Sequence, residues 1–257
     1  MRAIDLSDQV ALILGVANQR SLAWAIAEAL GEAGCDLAFT CQGERLRKNV
    51  TGLAEKYAGA PVIECDVTRP DQMDALFAEL QQRFGKLDHV IHSVAFATKE
   101  DLAGAFRNTS PEGFRIALEI SAYSFIDISN RAAPMMKDGG SILGMTYMAS
   151  QRVIPRYNVM GSAKAALEHG VRQLAYELGP SNIRVNAISA GPVKTISARG
   201  ISGFSSMAAH HRDSAPLQRN IEPREVADAA LFLCSEMASG ITGEILYVDA
   251  GYNIMAF

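Results

Sequence analysis

The 257-residue chain reads as an α/β protein, a parallel seven-stranded sheet with helices on both faces. Three observations predict this. QVALILG (9–15) is a short apolar run ending in glycine, the mark of a buried strand. Runs of this kind then alternate with helix-period segments along the chain, the order that yields a parallel sheet covered on both sides. No Pro/Gly/Ser-rich linker interrupts them, so one domain over 1–257 is expected.

The elements follow in order. SLAWAIAEALGEAG (21–34) carries Leu22, Ile26 and Leu30 at helical spacing. DLAFTC (36–41) is the second strand, followed by a charged helical stretch to about Lys56. PVIEC (61–65), a helix over 70–84 and DHVIHS (88–93) complete the first half. The second half has a helix near 111–136, strand GSILGM (140–145), a helix across 157–178 and strand IRVNAIS (183–189). A helix over 222–235 and strand EILYVD (244–249) close the pattern, and no fixed-period repeat is present.

Composition excludes several functions. Apolar residues make up 49% and charged residues 20%, as in ordinary globular proteins. A net charge of −4 without a long Lys/Arg cluster argues against nucleic acid as a partner. MRAIDLSDQ lacks the apolar stretch of a signal peptide, and runs such as VALILGVA are too short to span a bilayer. Cys35, Cys41, Cys65 and Cys234 form no CxxC pair and read as reduced buried thiols, so a cytoplasmic protein is expected.

The segment after the first strand is GVANQRSLAWAIA. A G-x-G-x-x-G fingerprint is missing, because Ala17 stands at the second glycine position after Gly15. The strand–loop–helix context survives, and the helix start at Ser21 and Leu22 offers free N–H groups to a pyrophosphate. Ser21 also suits an N-cap, and a plain capped turn is the competing explanation. Gln42 ends strand two and can hydrogen-bond a ribose, while Arg45 and Lys48 nearby leave NADPH open beside NADH. Asp66, followed by Val67, stands where an adenine amino group can be read, or serves as a turn residue before Thr68-Arg69-Pro70. HSVAFA (92–97) is small enough for a cofactor to lie against the backbone. These strand ends fall on one edge of the sheet, which makes the fold Rossmann-like and doubly wound.

YMASQRVIPRYNVMGSAK (147–164) carries the chemistry. Tyr157 and Lys164 stand close to two helical turns apart, so on a helix they share a face. A phenol beside an ammonium is a proton donor with a lowered pKa.

At these residues the chain resembles the short-chain dehydrogenase/reductase superfamily over essentially its whole length. RVNAISAGPVKT (184–195) and TGEILYVDAGYN (242–253) match that pattern as well. Two departures are informative. Six residues separate Tyr157 from Lys164, where most members have three. Gly144 stands thirteen residues before the tyrosine, where ordinary members carry a serine, and Tyr147 follows three residues later. With GVANQRSLAWAIA and HSVAFA, this combination is similar to the bacterial NADH-preferring enoyl-acyl-carrier-protein reductases.

The resemblance implies the last reduction of each fatty-acid elongation cycle, with NADH as reductant and acyl carrier protein as partner. It implies Tyr157 as donor to the thioester oxygen and Lys164 on the nicotinamide ribose. It implies that Tyr147 lines the acyl pocket near the thioester as a third catalytic residue, positioning substrate or taking part in proton delivery; a structural aromatic is the competing explanation. Gly15, Ser21, Leu22, Gln42, Asp66, Val67 and Val94 would contact the dinucleotide. Val193, Lys194, Thr195, Ile196 and Ser197 would wrap the nicotinamide amide, with Thr195 on the pyrophosphate. Ala97 would touch substrate. The segment over about 193–216, with Ile201, Phe204 and Met207, orders over an apolar ligand or forms ordinary surface helices. Arg199, Arg212 and Arg219 offer the acidic carrier a basic rim or are solvated. His210-His211 come without HExxH or a third ligand, so no metal is expected. Small residues on the 157–178 helix (Gly161, Ala163, Ala165, Ala166, Gly170) imply, with the resemblance, a homotetramer. The rivals are a keto- or hydroxyacyl reductase, a non-catalytic dinucleotide sensor and an enoyl reductase serving another acyl pathway.

Overall fold

A computed structural model of the chain describes residues 4–193, 195 and 203–256. Seven strands form one sheet: β1 (Val10–Leu14), β2 (Asp36–Cys41), β3 (Val62–Glu64), β4 (His89–His92), β5 (Gly140–Thr146), β6 (Ile183–Ala190) and β7 (Ile245–Val248). Their order is β3-β2-β1-β4-β5-β6-β7, and every pairing is parallel. The order reverses direction between β1 and β4, which opens a crevice at the carboxyl ends of those strands.

All five residues of β1 are buried, and alternation sends them to two cores. Ala11 and Ile13 join one cluster with Trp24 and Ile26 of α1 (Leu22–Glu32). Val10, Leu12 and Leu14 join the other, with Met73 and Leu76 of α3 (Pro70–Arg83). Each Val, Leu, Ile or Met among them, fully removed from water, contributes about 1.5–3 kcal/mol before entropy. α2 (Gly43–Ala54) and α9 (Pro223–Cys234) complete the first face. α6 (Ser124–Ala132) and α7 (Val159–Leu178) complete the second. The remaining helices are α4 (Lys99–Leu102), α5 (Pro111–Leu118) and α8 (Phe204–Ser214).

Local chemistry sets the helix ends. Gly34 (φ +92°) turns the chain out of α1, and the Cys35 N–H donates back to the Leu30 carbonyl. Pro70, Pro111 and Pro223 occupy first-turn positions where no N–H is needed. The Ser110 hydroxyl accepts from the Gly113 N–H at the start of α5.

Two expected helices differ. The stretch expected as a helix over 111–136 is α5, a π-turn over Glu119–Tyr123, α6 and a 3₁₀ turn over Ala133–Met135. Two serines accompany the π-turn: the Ser124 hydroxyl donates to the Ile120 carbonyl, and the Ser121 hydroxyl accepts from the Phe96 N–H. The helix expected across 157–178 begins at Val159, leaving Tyr157 outside it. Asn158, at φ 40° and ψ −124°, makes the break. The Met160 N–H donates to the Tyr157 carbonyl across it, which closes a turn of the II′ kind.

Candidate active site

The carboxyl ends of β1 to β5 surround a cavity of about 430 Å³. Gly15, Ser21, Leu22, Gln42, Asp66, Val67 and Val94 all line it, together with Tyr157, Lys164 and Thr195. Thus the seven positions expected to contact a dinucleotide and the two residues expected to carry the chemistry meet at one opening. Val193 is buried just behind it, and Thr195 donates its N–H to the Val193 carbonyl. Lys194, Ile196, Ser197, Arg199 and Ile201 lie outside the described residues. Ala97 packs with Ala117, Val159, Met160 and Ala163 behind Tyr157 rather than on the cavity wall.

The glycine loop is built for close approach. Gly15 adopts φ +96°, and a Cβ there would stand 2.2 Å from the Ser93 carbonyl oxygen. Ser21 occupies the N-cap position of α1 but does not cap it. Its hydroxyl accepts from the Ala17 and Asn18 N–H groups (3.0 and 3.2 Å). It therefore ties the loop together and leaves the first amides of α1 without a side-chain acceptor. Such amides are an anion site aimed by the helix dipole. At the adenine end, Gln42 Nε2 donates to Asp66 Oδ2 (2.8 Å). Asp66 Oδ1 also accepts from the Thr68 N–H and hydroxyl, so the turn role and a place at the cavity coexist. These features fit a dinucleotide.

At the chemical end, Lys164 is buried and its Nζ donates to the Met145 carbonyl (2.7 Å). Burial pulls its pKa down to about 8, while the charge of Glu168 pushes the other way. The rings of Tyr147 and Tyr157 are tilted by 57°, with centroids 5.0 Å apart. Tyr147 donates its hydroxyl to Met207 Sδ on α8 (3.6 Å), which links the segment beyond residue 203 to the site. Tyr157 also borders a second cleft lined by Phe106, Arg152, Val153, Ile154, Asn158 and Gly161.

Two expectations need correction. Tyr157 is not a phenol of lowered pKa. Burial pushes its pKa up, and Tyr147 adds to the rise. It stays protonated and keeps an O–H that is able to donate. Gly144 is not a vacated catalytic position either. It lies inside β5, and a Cβ there would meet Leu167 and Phe125 in the core. The residue that faces Tyr157 is Tyr147, just past the strand end. Counting from the tyrosine misleads because the tyrosine itself lies before the helix.

Sequence reasoning missed four contributors. Ile120 lines the cavity from the π-turn; the cue was serines 121 and 124 within an otherwise helical stretch. Thr146 and Ser93 also line it, each one residue beside a position already singled out. Asn158 had no sequence signal beyond the irregular Tyr–Lys interval. Of the proposed basic rim, Arg212 pairs with Asp213 and Arg219 with Glu225, which is ordinary surface pairing.

The model of a family described as "Enoyl-(Acyl carrier protein) reductase" matches residues 15–253. This chain belongs to the enoyl-(acyl carrier protein) reductase family. Within it, the chain is 48% identical over 242 residues to the enoyl-[acyl-carrier-protein] reductase [NADH] 1 of Rhizobium meliloti, covering 94% of this chain and 89% of that protein. It is 47% identical to the NADH enzyme of Bacillus subtilis, covering 95% and 96%. The crystal structure of the Bacillus cereus enoyl-acyl carrier protein reductase with NADP+ and indole naphthyridinone superposes with a TM-score of 0.96 at 45% identity. That match covers 98% of this chain and all of that one. The Anaplasma phagocytophilum reductase in complex with NAD gives a TM-score of 0.95 at 42% identity, covering 98% and 96%. The seven-stranded parallel sheet is therefore the architecture of these reductases.

Proposed function

We propose that this chain reduces the carbon–carbon double bond of a trans-2-enoyl thioester carried on acyl carrier protein, with NADH as reductant. When bound, the dinucleotide supplies a hydride from nicotinamide C4 to the β-carbon of the substrate. Negative charge then develops on the thioester oxygen as an enolate. Tyr157, kept protonated by burial, donates a hydrogen bond to that oxygen, as one group of an oxyanion hole. Lys164 directs its ammonium to the nicotinamide ribose hydroxyls and adds positive potential beside the ring. Tyr147 and Met207 form a wall against the acyl chain.

The observation that carries this reading is the pairing of Tyr157 with Tyr147 at 5.0 Å, beside a buried lysine in a dinucleotide cavity. A carbonyl reductase would place a hydroxyl such as serine beside its tyrosine; a bulky phenol there favours a flat, extended enoyl group. The Rhizobium meliloti and Bacillus subtilis relatives are NADH enzymes by name, which supports NADH as the cofactor. Exposed Phe114, Tyr123, Ile126 and Tyr176 on α5 to α7 support self-association, and a homotetramer is the assembly proposed. Among the described residues no helix is long and apolar enough to cross a membrane, in keeping with a proposed cytoplasmic site of action.

The test follows loss of reduced-nicotinamide absorbance with an enoyl thioester and, separately, a β-ketoacyl thioester. Turnover of the enoyl compound alone, lost in Tyr157→Phe, is expected. Turnover of the ketoacyl compound instead would make the keto-reductase reading the right one.

A further inference from the structure

Lys164 is not the lone buried charge of α7. Glu168, one helical turn further on, is 2% exposed. A buried carboxylate is costly unless it is hydrogen-bonded and faces a cation. Glu168 Oε1 accepts from the Thr146 hydroxyl (2.7 Å). Lys164 Nζ donates to the carbonyl of Met145, the residue before Thr146 (2.7 Å). Two successive turns of α7 therefore grip two successive residues at the end of β5. Thr146 and Met145 both line the cavity, so this clamp forms part of the cofactor wall.

We propose that Glu168 is a positioning residue, the counter-charge that keeps the Lys164 side chain an ammonium and aims it at the cofactor. This rests on the ribose-binding role given to Lys164 above. The other ionisable groups around the pair supply no second anion. His92 faces Lys164 from β4 and is held neutral by burial. Tyr157 lies before α7 and is held protonated. Tyr247 faces Glu168 from β7, with Arg152 and Asp249 acting on it in turn. Glu168 is thus the anion that acts on Lys164 among the described residues.

The chemistry gives the charge a purpose. An ammonium has three N–H donors. The Met145 carbonyl takes one, which leaves two for the two ribose hydroxyls. Deprotonation removes a donor and the positive potential together. Burial alone pushes toward that loss, and the carboxylate one helical turn on, at i+4 spacing and itself buried, opposes it. The two side chains are coupled through space and through Thr146 rather than by direct contact.

The experiment measures NADH dissociation constants against pH by nucleotide fluorescence, alongside kcat/KM for an enoyl thioester. In Glu168→Gln the amide oxygen still accepts from Thr146, and the charge alone is lost. The alkaline midpoint of NADH binding is expected to fall by about one pH unit, weakening binding roughly 5-fold at pH 8 while leaving it near wild type at pH 6. Glu168→Asp is expected to shift the midpoint less, and Thr146→Val less still. A Glu168→Gln midpoint that coincides with wild type overturns the proposal. Should that variant fail to fold, an unshifted midpoint in Glu168→Asp overturns it equally. Lys164→Met separates the two layers. If the midpoint survives in that variant, the ribose role of Lys164 is wrong; if it vanishes while Glu168→Gln matches wild type, only the role of Glu168 is.

Discussion

Tyr147 and Tyr157 stand with ring centroids 5.0 Å apart, yet they reach that pairing from different supports. Tyr147 leaves the end of β5, and Tyr157 sits in the turn before α7. Burial keeps both phenols protonated. Their hydroxyls therefore differ by position, not by acidity.

Removing the Tyr157 hydroxyl should cost most. Tyr157→Phe is expected to lower kcat by about 10²–10³, the effect of losing one oxyanion donor, with NADH affinity nearly unchanged. Tyr147→Phe retains the ring and loses a weak bond to Met207 Sδ, so a loss under about 10-fold is expected. Steady-state kinetics with an enoyl thioester decides. Equal losses in the two variants would sink the division of roles.

The glycine loop makes a second prediction. Gly15→Ala introduces a Cβ 2.2 Å from the Ser93 carbonyl oxygen at a φ of +96°. Strain and clash together should destabilise the fold by at least ~2 kcal/mol and weaken NADH binding. Thermal melts with and without NADH measure both. A variant with wild-type melting and affinity would show that β1 and β4 separate easily at this point.

Two buried histidines set the acid limit. Burial holds the pKa of His89 at about 4 and of His92 at about 3, against an ordinary 6.5. His89 Nε2 meets Gln9 Oε1 at 2.6 Å, and His92 Nε2 meets the Ser124 hydroxyl at 2.8 Å. The unfolded chain binds protons that the native state refuses once pH falls below about 6.5. Stability contributed by the neutral rings is complete above that pH and is lost progressively toward about 4, by up to ~3 kcal/mol for His89. Denaturant midpoints between pH 7 and 4 should fall, and His89→Asn or His92→Asn should flatten the fall. An unchanged slope in both variants would place acid sensitivity elsewhere.

The turn at Asn158 carries its own prediction. Its side-chain amide donates to the Leu102 and Gly104 carbonyls (3.0 and 3.1 Å). These bonds hold a backbone conformation that costs about 1–3 kcal/mol. Asn158→Ala keeps the strain and loses the bonds, so kcat should fall about 10-fold or more while the NADH dissociation constant stays put. Asn158→Gly relieves the strain and should melt higher than Asn158→Ala, with kcat still low. Full activity in both variants would show that Tyr157 needs no such tether.

Much of this was legible in the sequence because periodicity and strand-end chemistry are local. β1 and β2 appear as apolar runs, and the expected dinucleotide positions follow from lying just past a strand end, as Gly15 and Gln42 do, or at the helix start, as Ser21 and Leu22 do. What escaped depends on tertiary contacts. The π-turn at Glu119–Tyr123 is marked only by serines bonding within and beyond the helix. The late start of α7 comes from an amide reaching a distant loop. Gly144 misled because spacing counted along a chain assumes an unbroken helix. The lowered phenol pKa failed because Lys164 turns to Met145, leaving desolvation to dominate Tyr157.

The strained turn has a mechanical meaning. Lys164 is rooted in a long helix packed on the sheet, whereas Tyr157 is moored through its neighbour to the stretch around Leu102 and Gly104. The residue proposed to hold the reductant and the residue proposed to hold the substrate thus belong to separately anchored parts. On the proposed roles, an acyl group that displaces Tyr157 would strain this mooring rather than the helix that carries Lys164.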